Sequence, residues 1–309
     1  MARIEHAAMD GVTYMETFTK TQERNVTHFR SYDIGCGSAV AHASIDSRWA
    51  CRSNTGWTLV VRNPRREYLT NLYHVMEEVY SLFQTSMLAR VPLDAFDLRF
   101  VGAGEILPFA MQLLDTVVHN VTSTPFFASC RCCTIVTPLR ACKGSFLPLS
   151  WSQSYAGRDR LTLSVVTHIT RGLPIPEEDE RVLLMTRSSA RVRRLNIPWL
   201  PGCLDRTPHG MRRFENLHRL TMVEQIRLVR NHRTLVGPHG AGLTHVLFLR
   251  PGGHLVEISR HDPRAFRMIR SVANIYKNMA EWSGHRYTHL NRDILSCATV
   301  MRALDHTTV

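Results

Sequence analysis

Residues 234–258 read TLVGPHGAGLTHVLFLRPGGHLVEI, and this stretch constrains the fold more than any other. An apolar strand runs directly into a loop carrying Gly237, Gly240 and Gly242. A short apolar helix follows over residues 243–249, then a Pro-Gly-Gly turn and a second apolar strand over residues 254–258. Two strands joined through a helix cannot form a hairpin; they lie parallel, with a right-handed crossover. The flanking pattern extends the alternation. VLLM at 182–185 reads as a strand, and residues 220–231 as a helix opened by the T-x-x-E capping box of Thr221 and Glu224. Asp262 and Pro263 open a further helix, expected over residues 264–280. The expectation is an α/β domain with a parallel sheet.

The first half repeats this alternation less clearly. Strands are expected at residues 57–62 and 98–101. Helices are expected at 71–89, where Leu72, Met76, Val79, Tyr80, Phe83 and Met87 recur near a 3.6 period, and at 107–118. Residues 1–55 have no firm pattern. TRGLPIPEEDE at 170–180, with two prolines and an acidic run, is the expected linker. It would separate an N-terminal α/β domain (1–169) from a C-terminal one (181–309).

In an open parallel sheet, ligands bind beyond the carboxyl ends of the strands. The glycine loop is expected there, with His239 at its apex and helix-start N–H groups favouring an anion. Glu257, ending the next strand, would lie beside the loop as an acceptor for ribose hydroxyls. A tight turn made only for packing accounts for such a loop equally well on its own. Support comes from MTRSSARVRRLN at 185–196, where a strand end leads into Arg187, Arg191, Arg193 and Arg194. Guanidinium forks suit a diphosphate, although a solvated basic loop would look the same. In the first half, His74 and Glu78 stand at i,i+4 on a helix side away from the Met76/Phe83 stripe. A histidine with a carboxylate one turn away can serve a general base, although a surface histidine is the plainer reading.

Composition removes several classes. The 309 residues carry a net charge of +12, and lysine occurs only at Lys20, Lys143 and Lys277, so 35 of the 38 basic residues are arginine. This basicity fits nucleic acid, anionic lipid or phosphate ligands. The arginines cluster near one loop, and aromatics are only 8%, which argues against a nucleic-acid binder. No apolar run reaches the roughly 18 residues of a membrane span, and no signal peptide is visible, so membrane association would need an anchor absent from this chain. The eight cysteines lack paired C-x2-C spacing, so free thiols or disulfides are favoured over metal. N-x-T sequons at Asn25 and Asn120 are compatible with a secretory compartment.

Three blocks, in order, resemble glycosyltransferase family 61. They are Asn71-x-Tyr73-His74 with Glu78, Arg187 through Arg193-Arg194-Leu195-Asn196, and Val236-Gly237-Pro238-His239-Gly240-Ala241-Gly242-Leu243-Thr244 running on to Glu257. The family's Asp is Glu78 here, its usual Asn after the loop is His245, and the arginine block is one residue shorter. The resemblance implies a GT-B-like architecture, two Rossmann-like domains facing a cleft. It implies inverting transfer of a GlcNAc or pentose unit from a UDP-sugar to a protein or polysaccharide hydroxyl, in the Golgi or endoplasmic reticulum lumen. Arg187, Arg193, Arg194, His239, Gly240, Ala241, Gly242 and Glu257 would hold the nucleotide. His74, Glu78 and Arg187 would serve catalysis, with no metal or other cofactor required. A catalytically inactive nucleotide- or glycan-binding relative is the alternative.

Overall fold

The computed structural model describes residues 4–9, 12–19, 28–33, 40–45, 57–62, 69–89, 92–101, 106–124, 134–136, 158–174, 176–186, 197–214, 219–259 and 274–305. The chain divides into two compact units. One holds residues 1–150 and 155–157; the other holds 151–154 and 158–309.

The first unit begins with an antiparallel meander of β1 (Ile4–Met9), β2 (Val12–Thr19), β3 (His28–Asp33) and β4 (Val40–Ile45). This sheet falls in the stretch where the sequence shows no firm pattern. Then come β5 (Trp57–Arg62), helix α1 (Leu72–Ala89), β6 (Phe96–Val101), α2 (Pro108–Asp115), β7 (Asn120–Thr124) and β8 (Thr134–Val136). These four strands are parallel, in the order β7-β6-β5-β8. Counted from β5 the order is 3-2-1-4, the start of the doubly wound dinucleotide-binding arrangement. Along α1, Leu72, Val75, Met76, Val79, Tyr80 and Phe83 are buried, which is the expected stripe. On β6, Phe96, Leu98 and Phe100 alternate into the core.

The second unit runs α3 (Arg158–Ile169), β9 (Val182–Met185), α4 (Leu200–Leu204), β10 (Met211–Phe214), α5 (Met222–Arg230) and β11 (Thr234–Pro238). It continues with a 3-10 helix (Ala241–Phe248), β12 (His254–Ser259), α6 (Ile275–Trp282), β13 (Arg286–Asn291) and α7 (Cys297–Asp305). All five strands are parallel, in the order β10-β9-β11-β12-β13. Counted from β9 this is 2-1-3-4-5, the other common doubly wound order. The α/β class and the parallel sheet expected from sequence are therefore observed. Every residue of β9, β11 and β12 is buried, as in a sheet covered on both faces. Val182, Leu184, Val236, Val256 and Ile258 face α4 and α7, where Leu200, Leu204, Val300 and Leu304 pack; a Cys203–Cys297 disulfide ties those two helices. Alternation sends Leu183, Leu235, Leu255 and Glu257 to the opposite face.

Two boundaries differ from the sequence reading. The expected linker at 170–180 belongs to the second unit. Glu178 pairs with Arg233 and with Arg250 (3.1 Å), Arg250 also donates to the Pro176 carbonyl at 3.0 Å, and Asp179 forms a bridge to His232. An acidic run reads as solvated until partners such as Arg233 and Arg250, more than fifty residues from Glu178, are known. The division falls instead near residues 150–158. The capping box stands as expected, with Thr221 N–H donating to Glu224 at 2.7 Å and Glu224 N–H to Thr221 Oγ1 at 3.2 Å. The helix expected over 264–280 overlaps α6 at its end; residues 260–273 lie outside the described residues.

Candidate functional site at a switch point of the second sheet

In the 2-1-3-4-5 order, the chain leaves β9 toward one edge of the sheet and leaves β11 toward the other. The carboxyl ends of β9 and β11 therefore border the point where the winding reverses, the usual place for a ligand in such sheets. Register places Val236 opposite Leu184, so Gly237 stands level with Met185. The glycine loop and the strand end that leads into Arg187 are thus neighbours. Arg187, Arg193 and Arg194 themselves lie outside the described residues.

The glycines do two different things. Gly240 has φ 145°, a conformation that side-chain-bearing residues rarely adopt. Gly242 and Gly237 allow close packing on the end of β9. A Cβ on Gly242 would lie 2.2 Å from Met185 Sδ, and one on Gly237 would lie 3.0 Å from Met185 Cβ. The packing explanation is therefore right for two of the three glycines, while Gly240 shapes the bend itself. The bend is held at both sides: His239 N–H donates to the Ile258 carbonyl at 3.1 Å, and Leu243 N–H to the Gly240 carbonyl at 2.8 Å. Ala241 and Gly242 open the 3-10 helix, so their N–H groups have no acceptor within it.

His239 does not hang free at the apex. Its Nδ1 is hydrogen-bonded to Glu257 Oε1, and its ring meets Tyr276 edge-on, with centroids 5.2 Å apart. The other carboxylate oxygen, Oε2, accepts from the Tyr287 hydroxyl at 2.9 Å. The Glu257 side chain is 4% exposed and that of His239 18%. A carboxylate only accepts, so Nδ1 carries the hydrogen. Nε2 is left to act on a ligand, as a donor from imidazolium or as an acceptor from the neutral ring. Burial and the neighbouring Glu257 charge push the Tyr287 phenol upward, so it stays a donor. Glu257, expected as a ribose acceptor, has both oxygens engaged, one by His239 and one by Tyr287. Sequence does not single out Tyr276 and Tyr287, because they stand 34 and 45 residues beyond Gly242 and neither stands in a recognisable motif.

His245 is structural. Its ring is buried, with Nδ1 2.8 Å from the Gly242 carbonyl and Nε2 2.9 Å from the Gln225 side-chain amide, and Phe214 packs edge-on. Burial pushes its pKa down to about 4, so it is neutral at pH 7. It fastens the glycine loop to α5.

In the first unit, Asn71 Oδ1 accepts from Tyr73 N–H at 3.0 Å at the start of α1. His74 is there as expected, but its partner is Glu77, with Nδ1 2.8 Å from Oε2. At 100° per residue, positions i+3 and i+4 flank residue i almost equally, so spacing alone cannot choose between Glu77 and Glu78. Both carboxylates are buried, at 5% and 6% exposure, so this side of the helix is not the solvated face expected from the sequence. Burial raises Glu77 to about 7, with the His74 hydrogen bond acting against it. A carboxyl that titrates near neutrality can take or release a proton at working pH.

Among the described residues, no group of three His, Cys, Asp or Glu side chains is disposed to hold a metal ion, and no helix is long and apolar enough to cross a membrane. A family model described as Glycosyltransferase 61 matches residues 68–256, more than half of the chain. An EGF domain-specific O-linked N-acetylglucosamine transferase of Drosophila melanogaster is 30% identical over 122 residues, covering 39% of this chain and 22% of that protein. The aligned stretch thus spans about a fifth of the relative's length.

Proposed function

The chain belongs to glycosyltransferase family 61, and on that premise we propose that it transfers a sugar, GlcNAc or a pentose, from a UDP-sugar to a protein or polysaccharide hydroxyl with inversion. The observation that carries this reading is the buried Glu257–His239 pair at the switch point, beside the strand end that leads into the arginine block. In the reaction the acceptor hydroxyl loses its proton to a base, its oxygen bonds to the anomeric carbon, and the bond from that carbon to the phosphate oxygen breaks. The leaving UDP gains negative charge. Nε2–H of the His239 imidazolium, the N–H groups of Ala241 and Gly242, and the guanidinium groups of Arg187, Arg193 and Arg194 would donate to that charge as it develops. These guanidinium groups take the part a metal cation plays elsewhere, so no cofactor enters the proposal. His74 with Glu77 and Glu78 is the candidate base on the acceptor side.

A GT-B-like architecture is part of this reading. What supports it is each unit's own strand order, 3-2-1-4 in one and 2-1-3-4-5 in the other. A secretory-lumen location is also proposed. It is supported by the Cys203–Cys297 disulfide, a bond that persists in oxidising compartments.

The test is a thermal-shift screen against UDP, UDP-GlcNAc, UDP-xylose, UDP-arabinose, and GDP- and CMP-sugars, followed by donor hydrolysis and transfer assays. A UDP-sugar should raise the melting temperature by mass action. Arg187→Ala should keep the fold and lose most transfer; wild-type rates in that variant would remove the diphosphate role. UDP binding with neither hydrolysis nor transfer would favour a binding protein over an enzyme.

A further inference from the structure

The Glu257–His239 pair has a third member outside the region matched by the family model. Tyr287, the second residue of β13, stands level with Leu255, two residues before Glu257, and its hydroxyl donates to Glu257 Oε2 at 2.9 Å. Glu257 then has one donor per oxygen, and its carboxylate plane is fixed by two bonds rather than one. With a single bond, the carboxylate could swing about its last torsion, which has broad, shallow minima, and His239 Nδ1–H would lose its fixed acceptor. Among the described residues, the Tyr287 hydroxyl bonds to Glu257 and acts through it.

We propose that Tyr287 is a positioning residue for transfer: by holding Glu257 it keeps the His239 Nδ1–H on Oε1 and so fixes the ring orientation that aims Nε2, a donor when the ring is an imidazolium, at the departing diphosphate. This rests on the reading of His239 as a diphosphate donor. Tyr276, edge-on to the His239 ring from α6, closes the other side, so the ring is bounded by a hydrogen bond along its plane and an aromatic edge. A phenylalanine at 287 keeps the ring and its packing and removes only the donor.

The experiment compares wild type, Tyr287→Phe, and the chain with 3-fluorotyrosine at 287, which retains the hydroxyl. The first readout needs no substrate: long-range proton–nitrogen NMR of the His239 ring. The Nδ1–H should be held on Glu257 and exchange slowly in wild type and the fluorotyrosine protein. In Tyr287→Phe the Nδ1–H should exchange at least about tenfold faster, the scale of one lost hydrogen bond to a charged group. The second readout is steady-state transfer. Tyr287→Phe should lower kcat by about tenfold with the acceptor KM unchanged, and fluorotyrosine should retain wild-type kcat. Glu257→Gln combined with Tyr287→Phe should lose no more than Glu257→Gln alone, because both act through His239. An unchanged Nδ1–H exchange rate, or strictly additive losses, would overturn the proposal. If the wild-type chain transfers from no UDP-sugar, the functional reading fails, and the NMR result still decides whether Tyr287 positions His239.

Discussion

Glu77 makes a quantitative prediction. Burial lifts its carboxyl from an ordinary value of 4.5 to about 7, despite the His74 hydrogen bond that favours the ionised form. The folded chain therefore holds this proton more tightly than the unfolded chain. The contribution to stability is fully present below pH 4.5 and is lost as pH rises through 7. At about 1.4 kcal/mol per pH unit, the interval from 4.5 to about 7 corresponds to roughly 3 kcal/mol for the first unit. Glu77→Gln keeps the shape and an acceptor for His74 but does not ionise. Relative to wild type, the variant should therefore gain about 3 kcal/mol as pH goes from 4.5 to 8. The assay is denaturant unfolding of both proteins across that range. Hydrogen exchange of the α1 amides, read by mass spectrometry, isolates the first unit, because a chain of two units need not unfold in one step. A difference that stays flat with pH would refute the burial argument. A difference of opposite slope would show that the His74 bond outweighs burial.

Other expectations follow from single contacts. Gly240→Ala forces a side chain onto φ 145°, which should cost about 1–3 kcal/mol; the melting temperature should fall and UDP affinity by calorimetry should weaken, and no change in either would remove the bend from the site. Replacing Cys203 and Cys297 together by alanine opens a loop closed across a separation of 94 residues and should destabilise the second unit by about 2–5 kcal/mol. Melting curves with and without reductant should then coincide for the variant and differ for wild type. His245→Ala empties a buried site between the loop and α5 and should lower both stability and donor binding; a variant that loses stability alone would confine His245 to packing.

The second unit was readable because its signals are local. VLLM at 182–185 is entirely apolar, and the structure has β9 over those residues. The capping box of Thr221 and Glu224 is likewise spelled out within four residues. What sequence missed depends on distance. Strand β10 (MRRF) carries two exposed arginines and reads as loop; only its parallel pairing with β9 makes it a strand. Strand β13 (RYTHLN) has one fully buried residue, Leu290, and no clean alternation. Because that strand was not visible, Tyr287 could not be seen as a partner for Glu257.

The glycine loop shows how one motif can carry two kinds of information. Its spacing suggests either a cradle for an anion, with Gly240 and Gly242 serving the ligand, or a tight turn made for packing. In the structure, Gly237 and Gly242 are fixed by Met185, the last residue of the neighbouring strand, and only Gly240 is required by its backbone conformation. Packing and binding are nevertheless coupled. Met185 sits two residues before Arg187 in sequence, and the glycines that let the loop settle on Met185 also set how closely the histidine-bearing bend approaches the end of β9. A methyl group at position 242 would have to displace the Met185 thioether, the flexible end of that side chain, which makes the fold tolerant and the spacing sensitive. Gly242→Ala is therefore expected to leave the melting temperature within a few degrees of wild type and to weaken UDP binding by more than that change in stability accounts for. Equal losses in calorimetric affinity and stability would mean that the loop's approach to β9 serves packing alone.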